Sequence, residues 1–208
     1  MQSEESWQSL WLGLGATGAD PALREALVQR YRESPRKYHT LQHLTACLRH
    51  FATLRARAEH PHEVEVALWF HDAVYEIGGG SNELQSADWA RSAVLAAGVD
   101  VSIAQRVHAL VMATCHNVLP QTRDEEVLLD VDLAILGAPP QHFDAYETQI
   151  RQEYASVPEP DFQTRRKRIL QQFMDRPRIY HTAQFNALLE AQARANLARS
   201  IAALGAKP

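Results

Sequence analysis

A chain of 208 residues is long enough for one well-buried core, and its 46% hydrophobic and 22% charged content excludes a disordered polymer. The net charge of −4, with basic residues scattered among acidic ones, excludes the concentrated basic stripe of a nucleic-acid duplex-binding surface. Two cysteines without a C-x-x-C pair, acid where a secretory signal carries base, and no apolar run near the ~18 residues of a membrane span predict a soluble, cytoplasmic protein with no membrane partner.

The chain reads as helices almost throughout. Trp7, Leu10, Trp11 and Leu14 follow the rhythm of an amphipathic stripe. Asp20-Pro21 is a capping side chain followed by proline at the first helical position, and that helix is expected to run to about Arg32. A third helix is expected from Tyr38 to about Ala58. A fourth, from about Pro61 to Tyr75, is apolar around most of its circumference and belongs in the core.

Gly78-Gly79-Gly80 interrupts the pattern, and Ser81 or Asn82 caps a helix that runs to about Ala97 before Gly98. Asp100 or Ser102 opens the next, ending near His116. Residues 117 to 123 read as a loop. The run E-E-V-L-L-D-V-D-L-A-I-L then leads to Gly137 as a stop, and Pro139-Pro140 opens a helix to about Ser156. A basic helix over 162 to 175 and an alanine-rich one over about 182 to 204 complete the chain. No alternating strand pattern and no internal repeat occurs, and V-E-V at 64 to 66 is outvoted by its neighbours. The fold class is all-α.

Ten histidines are the compositional oddity. His39 and His43 stand four apart, on one face if both are helical. His71-Asp72 follows Leu68-Trp69-Phe70, and a carboxylate in such surroundings is expensive unless paired or bound to a cation. Asp132 is likewise embedded in apolar sequence, and so is Asp130; two apart on a helix, they point about 200° apart, so one of them faces any ion.

His43, the His71-Asp72 doublet and Asp132 resemble the H…HD…D signature of the HD superfamily of metal-dependent phosphohydrolases. The segments P-R-K-Y-H-T-L-Q-H, W-F-H-D-A-V-Y, S-N-E-L-Q-S-A, D-V-D-L-A-I-L-G and R-Q-E-Y look like one bacterial subgroup of predicted HD phosphohydrolases. The Y-H-x-x-x-H element is also similar to one in cyclic-nucleotide phosphodiesterases of the wider superfamily. The resemblance covers roughly residues 30 to 180 by motif order. It implies a helical bundle of the HD-domain type, one domain over 1–208 with its core at about 30 to 180.

By the resemblance His43, His71, Asp72 and Asp132 are metal ligands, with Asp132 preferred to Asp130 as the aspartate before Leu-x-x-Leu-Gly. His39 corresponds to the phosphodiesterase histidine that protonates the leaving oxygen. In dinuclear relatives further histidines lie between the doublet and the last aspartate; here His116 and Glu83 are the candidates for a second metal or for phosphate, and His108 is read as packing. Glu83 stands near the place of an expected histidine, so one ion is preferred, with a second left open. Arg36 and Arg151 are candidate substrate contacts because a guanidinium forks onto phosphate. R-R-K-R at 165 to 168 fans around its helix and reads as a solvated face or the partner of an acidic helix.

Mixed nitrogen and oxygen ligands do not choose among Mn²⁺, Fe²⁺, Co²⁺, Zn²⁺ and Mg²⁺. The expected reaction is hydrolysis of a phosphate ester, of a nucleotide or a small phosphorylated metabolite, by metal-bound hydroxide positioned with the help of Asp72. Two rivals are an HD-type di-iron oxygenase and a non-catalytic module in which metal helps recognise a nucleotide. The helical segments beyond 176 are available to cover the site or to build a homodimer face.

Overall fold

In the computed structural model, which describes residues 3–205, the start signals at Asp20 and Asp100 are matched by side-chain caps, whereas Ser81 and Pro139 precede their helices without one. The Asp20 carboxylate accepts from the Ala22 amide at 2.8 Å, with Pro21 at the first helical position. Asp100 does the same for Ser102, also at 2.8 Å. Residues 1, 2 and 206–208, part of the domain expected over 1–208, lie outside the described residues.

The helices are α1 (Glu4–Gly13), α2 (Pro21–Arg30), α3 (Leu41–Leu54), α4 (Pro61–Phe70), α5 (Asn82–Ala96), α6 (Val101–Ala113), α7 (Arg123–Asp132), α8 (Pro140–Glu153), α9 (Glu159–Met174) and α10 (Ala183–Gly205). Two 3-10 turns, Arg55–Arg57 and Leu133–Gly137, follow α3 and α7. No strand occurs among the described residues, so the protein is all-α. No described helix is long and apolar enough to cross a membrane.

The chain divides into two compact units, Met1–Val131 and Asp132–Pro208. In the first, α4 is the central element: it packs against α1, α3, α5 and α6, and every residue from Glu63 to Phe70 is buried. Its two carboxylates are matched from the flanks, Glu63 by a forked pair with Arg106 at 2.6 and 2.8 Å and Glu65 by Arg55. The N-terminal stripe joins this core, with Trp7 edge-on to Trp69 at 5.0 Å between ring centres. Gly98 takes a left-handed φ of 76° after α5, a conformation that favours glycine.

In the second unit α10 packs along α9 and the Leu133–Gly137 turn. Arg166, in the R-R-K-R run, turns inward to bond the Tyr146 hydroxyl at 2.7 Å and the Glu147 carboxylate. That is the acidic helix partner the sequence suggested.

Several helix boundaries differ from expectation, and two of them shape the turns around the His71-Asp72 doublet. α3 begins at Leu41, because Thr40 caps it by accepting from the Gln42 amide, and His39 therefore sits in the turn before the helix. α4 ends at Phe70, so His71 and Asp72 occupy the turn that follows rather than the helix. The reason lies earlier in the chain: the Arg36 guanidinium takes the Asp72 and Ala73 carbonyls, which a continuing helix would direct to amides further on.

Candidate metal centre

His43 enters the site from the first turn of α3, on the face that also buries Leu44, Cys47 and Leu48. His71 stands where α4 stops. Its Nδ1 lies 2.8 Å from the Leu68 carbonyl, and a carbonyl can only accept. Nδ1 therefore donates to that carbonyl, and Nε2 is the ring atom turned to the site.

Two further donor atoms meet that nitrogen. His43 Nε2 is 3.0 Å from His71 Nε2, Asp72 Oδ2 is 3.0 Å from His71 Nε2, and the same oxygen is 3.4 Å from His43 Nε2. Ligands about 2.1 Å from a shared ion and at right angles are roughly 3.0 Å apart, so these spacings fit one face of a coordination shell. The imidazoles are almost fully buried, whereas the Asp72 side chain keeps 19% of its surface and is the solvent-facing member.

A second grouping shares both histidines: ligand atoms of His43, Cys47, His71 and Asp132 all lie within 4.8 Å of one another. Asp132 is the last residue of α7 and belongs to this group, while Asp130 is fully buried and does not. The chemistry of the donor set fits a divalent cation.

The electrostatics agree with a cation-ready carboxylate. Burial alone would raise the Asp72 carboxyl, but the charges of His71 and His39 and hydrogen bonds from His43 and His71 outweigh it and hold the group well below the usual carboxylate range.

His39 lies beside the ligands without being one of the group. Its ring stacks on Tyr75 at 4.2 Å between centres and meets His43 edge-on at 5.9 Å. The stacking partner is itself fixed. Ser86 bonds the Val74 amide at 3.0 Å, and Asn82 brackets Glu76 by accepting from its amide and donating to its carbonyl. The S-N-E-L-Q-S-A segment thus secures the turn that carries Tyr75.

The chain matches no family model, no curated protein and no solved structure.

The remaining candidates lie elsewhere. Arg36 is 4% exposed, and its nitrogens bond Glu33 and the carbonyls of His39, Asp72 and Ala73. It faces the backbone of the doublet rather than an approaching phosphate. Arg151, in the second unit, bonds Glu159 and the Tyr154 and Val157 carbonyls, closing the turn between α8 and α9. Glu83 lies in the first turn of α5, and its charge, after burial, helps push the Cys115 thiol up. His116 follows Cys115 in a left-handed conformation, φ 56°. Neither Glu83 nor His116 joins a ligand group among the described residues. His108 approaches Asp88 at 3.4 Å, a contact of α6 with α5.

Cys47 is the residue that sequence reasoning passed over. Its signal was present: four positions beyond His43 on one helix places a second soft donor on the same face.

Proposed function

We propose that the protein is a metal-dependent phosphohydrolase of the HD type, cleaving a phosphate ester of a nucleotide or small phosphorylated metabolite. The observation that carries the reading is the convergence of His43 Nε2, His71 Nε2 and Asp72 Oδ2 at 3.0 to 3.4 Å, beside His39. The order of these residues and of Asp132, which resembles the HD signature, supports it further. One ion is preferred, because the donor groups share the His43–His71 pair and leave out Glu83 and His116.

His43, His71, Asp72 and Asp132 would hold the ion. Bound there, a divalent cation supplies Lewis-acid activation of water and neutralises charge on a phosphoryl oxygen. The part-exposed Asp72 carboxylate accepts a hydrogen bond from the attacking water and sets its direction. His39 holds the proton that the departing alkoxide takes. Its stack on Tyr75 and the 3.2 Å bond from Arg36 to its carbonyl fix the ring for that transfer.

Metal analysis of the purified chain beside a His43→Ala/Asp132→Ala variant tests the metal, and a phosphoester panel tests the reaction. Near-stoichiometric divalent metal that disappears in the variant, with metal-dependent phosphate release, is the expected result. No metal in either protein after reconstitution would sink the reading. Dioxygen consumption with Fe²⁺, or tight nucleotide binding without turnover, would replace hydrolysis with one of its rivals.

A further inference from the structure

We propose that Cys47 is a sulfur ligand of the same ion, so that the centre takes a thiophilic cation such as Zn²⁺, Co²⁺ or Fe²⁺ in preference to Mg²⁺; the proposal rests on the metal-centre reading above. Cys47 is 2% exposed and sits one turn beyond His43 on α3. Its Sγ is 3.6 Å from His43 Nε2. It is also 3.7 Å from His43 Nδ1, so the sulfur flanks the imidazole ring. The sulfur is also grouped with donor atoms of His71 and Asp132, all within 4.8 Å.

Disulfide pairing does not account for the residue, since Cys47 and Cys115 are both free thiols. A cysteine that only filled space would act as a small hydrophobe, and Leu44, Leu48 and Phe51 already line that face of α3. What Cys47 adds to them is a donor atom beside two imidazoles.

Ligation replaces the S–H bond by a sulfur–metal bond. The sulfur electron pair goes to the ion, the proton goes to solvent, and neither partner changes oxidation state. Thiolate favours borderline and soft cations, whereas Mg²⁺ prefers an all-oxygen shell. The sulfur therefore narrows a choice that histidine and aspartate leave open.

The test uses the full chain, stripped of metal and reloaded with Co²⁺ under a non-thiol reductant, read by absorption. The expected result is a near-ultraviolet sulfur-to-cobalt charge-transfer band in the wild type. In Cys47→Ser that band is lost while the visible ligand-field bands persist. Zn²⁺ affinity should fall in the variant by at least the about 10-fold that loss of an outer-shell partner costs, and Mg²⁺ affinity should change less. Visible bands without a charge-transfer band in the wild type would overturn the sulfur ligand and leave the metal centre standing. No cobalt binding by the wild type would overturn both. The wild-type spectrum decides by itself if Cys47→Ser fails to fold.

Discussion

Arg36 binds the backbone of Asp72 and not its carboxylate: Nη1 donates to the Asp72 carbonyl at 2.6 Å, and Nη2 donates to the Ala73 carbonyl at 3.1 Å. The same Nη1 reaches the His39 carbonyl at 3.2 Å, so one guanidinium ties the turn before α3 to the turn after α4. The Asp72 side chain is left to face the two histidines. Tyr31 and Tyr75 stand within 5.4 Å of the Arg36 guanidinium carbon and wall the buried charge.

Replacing Arg36 with alanine orphans carbonyls in a buried place and is expected to cost about 3 kcal/mol of stability. Arg36→Lys is the more informative variant, because it keeps the charge and loses the fork. We expect it to fold, to melt earlier, and to bind metal about 10-fold more weakly, since the backbone that aims Asp72 is no longer held. Thermal unfolding and metal titration check this. Wild-type metal affinity in a destabilised Arg36→Lys would show that the clamp serves stability alone.

His39 and His43 should part company under mutation. His43→Ala removes a donor atom at the centre of the cluster, and metal content should fall to background. His39→Ala leaves the cluster intact, so metal content should stay while turnover on an active phosphoester drops by roughly 10²–10⁴-fold. Metal analysis run beside kinetics reads both. Equal loss of metal in the two variants would move His39 into the coordination shell.

Much of this was legible in the sequence because it rests on local rules. Asp20-Pro21, Asp100 and the post-helical Gly98 fix boundaries through groups one to three positions away. The apolar run before His71 announced a buried helix, and the site residues stood out as polar groups that such surroundings do not tolerate alone. What escaped rests on distant partners. The end of α4 is set by Arg36, far earlier in the chain, and no periodicity at 61 to 75 records that. Arg36 itself read as a candidate phosphate contact, since one sequence gives charge but not the carbonyls that its guanidinium meets. Cys47 was hidden for another reason: cysteine passes for core wherever the flanking positions are apolar.

Gly137 read as a helix stop, yet its role in the second unit is close approach. A Cβ built there would lie 2.6 Å from the Leu189 Cβ, 2.9 Å from the Leu189 carbonyl oxygen and 3.0 Å from the Tyr180 hydroxyl. Two of these neighbours belong to the body of α10, and Tyr180 is held by its 2.9 Å bond to the Leu133 carbonyl, so none yields easily. Gly137→Ala is therefore expected to destabilise by about 1–3 kcal/mol through overpacking. Denaturant unfolding checks the value. A neutral or stabilising effect would mean that α10 shifts freely along the turn.

Tyr31 supplies a pH dependence of known sign. Burial, opposed by the charges of His71 and His43 and aided by that of Asp72, pushes its phenol from 10.0 up to about 12. The folded state thus holds the proton more tightly than the unfolded chain does. Its contribution to stability is complete below the unfolded value near 10 and is lost as pH rises through about 12, an effect of about 2–3 kcal/mol. Tyr31→Phe removes this dependence and also the 3.2 Å hydrogen bond to the Trp69 carbonyl, costing about 1 kcal/mol at neutral pH. Tyr146, also raised by burial, titrates in both proteins and cancels from the difference. Urea unfolding at a series of pH values should therefore show the variant less stable at pH 8, with the gap closing or reversing between pH 10 and about 12. Parallel profiles over that range would show that Tyr31 meets water in the folded protein and that its burial beneath the His71–Asp72 turn is wrong.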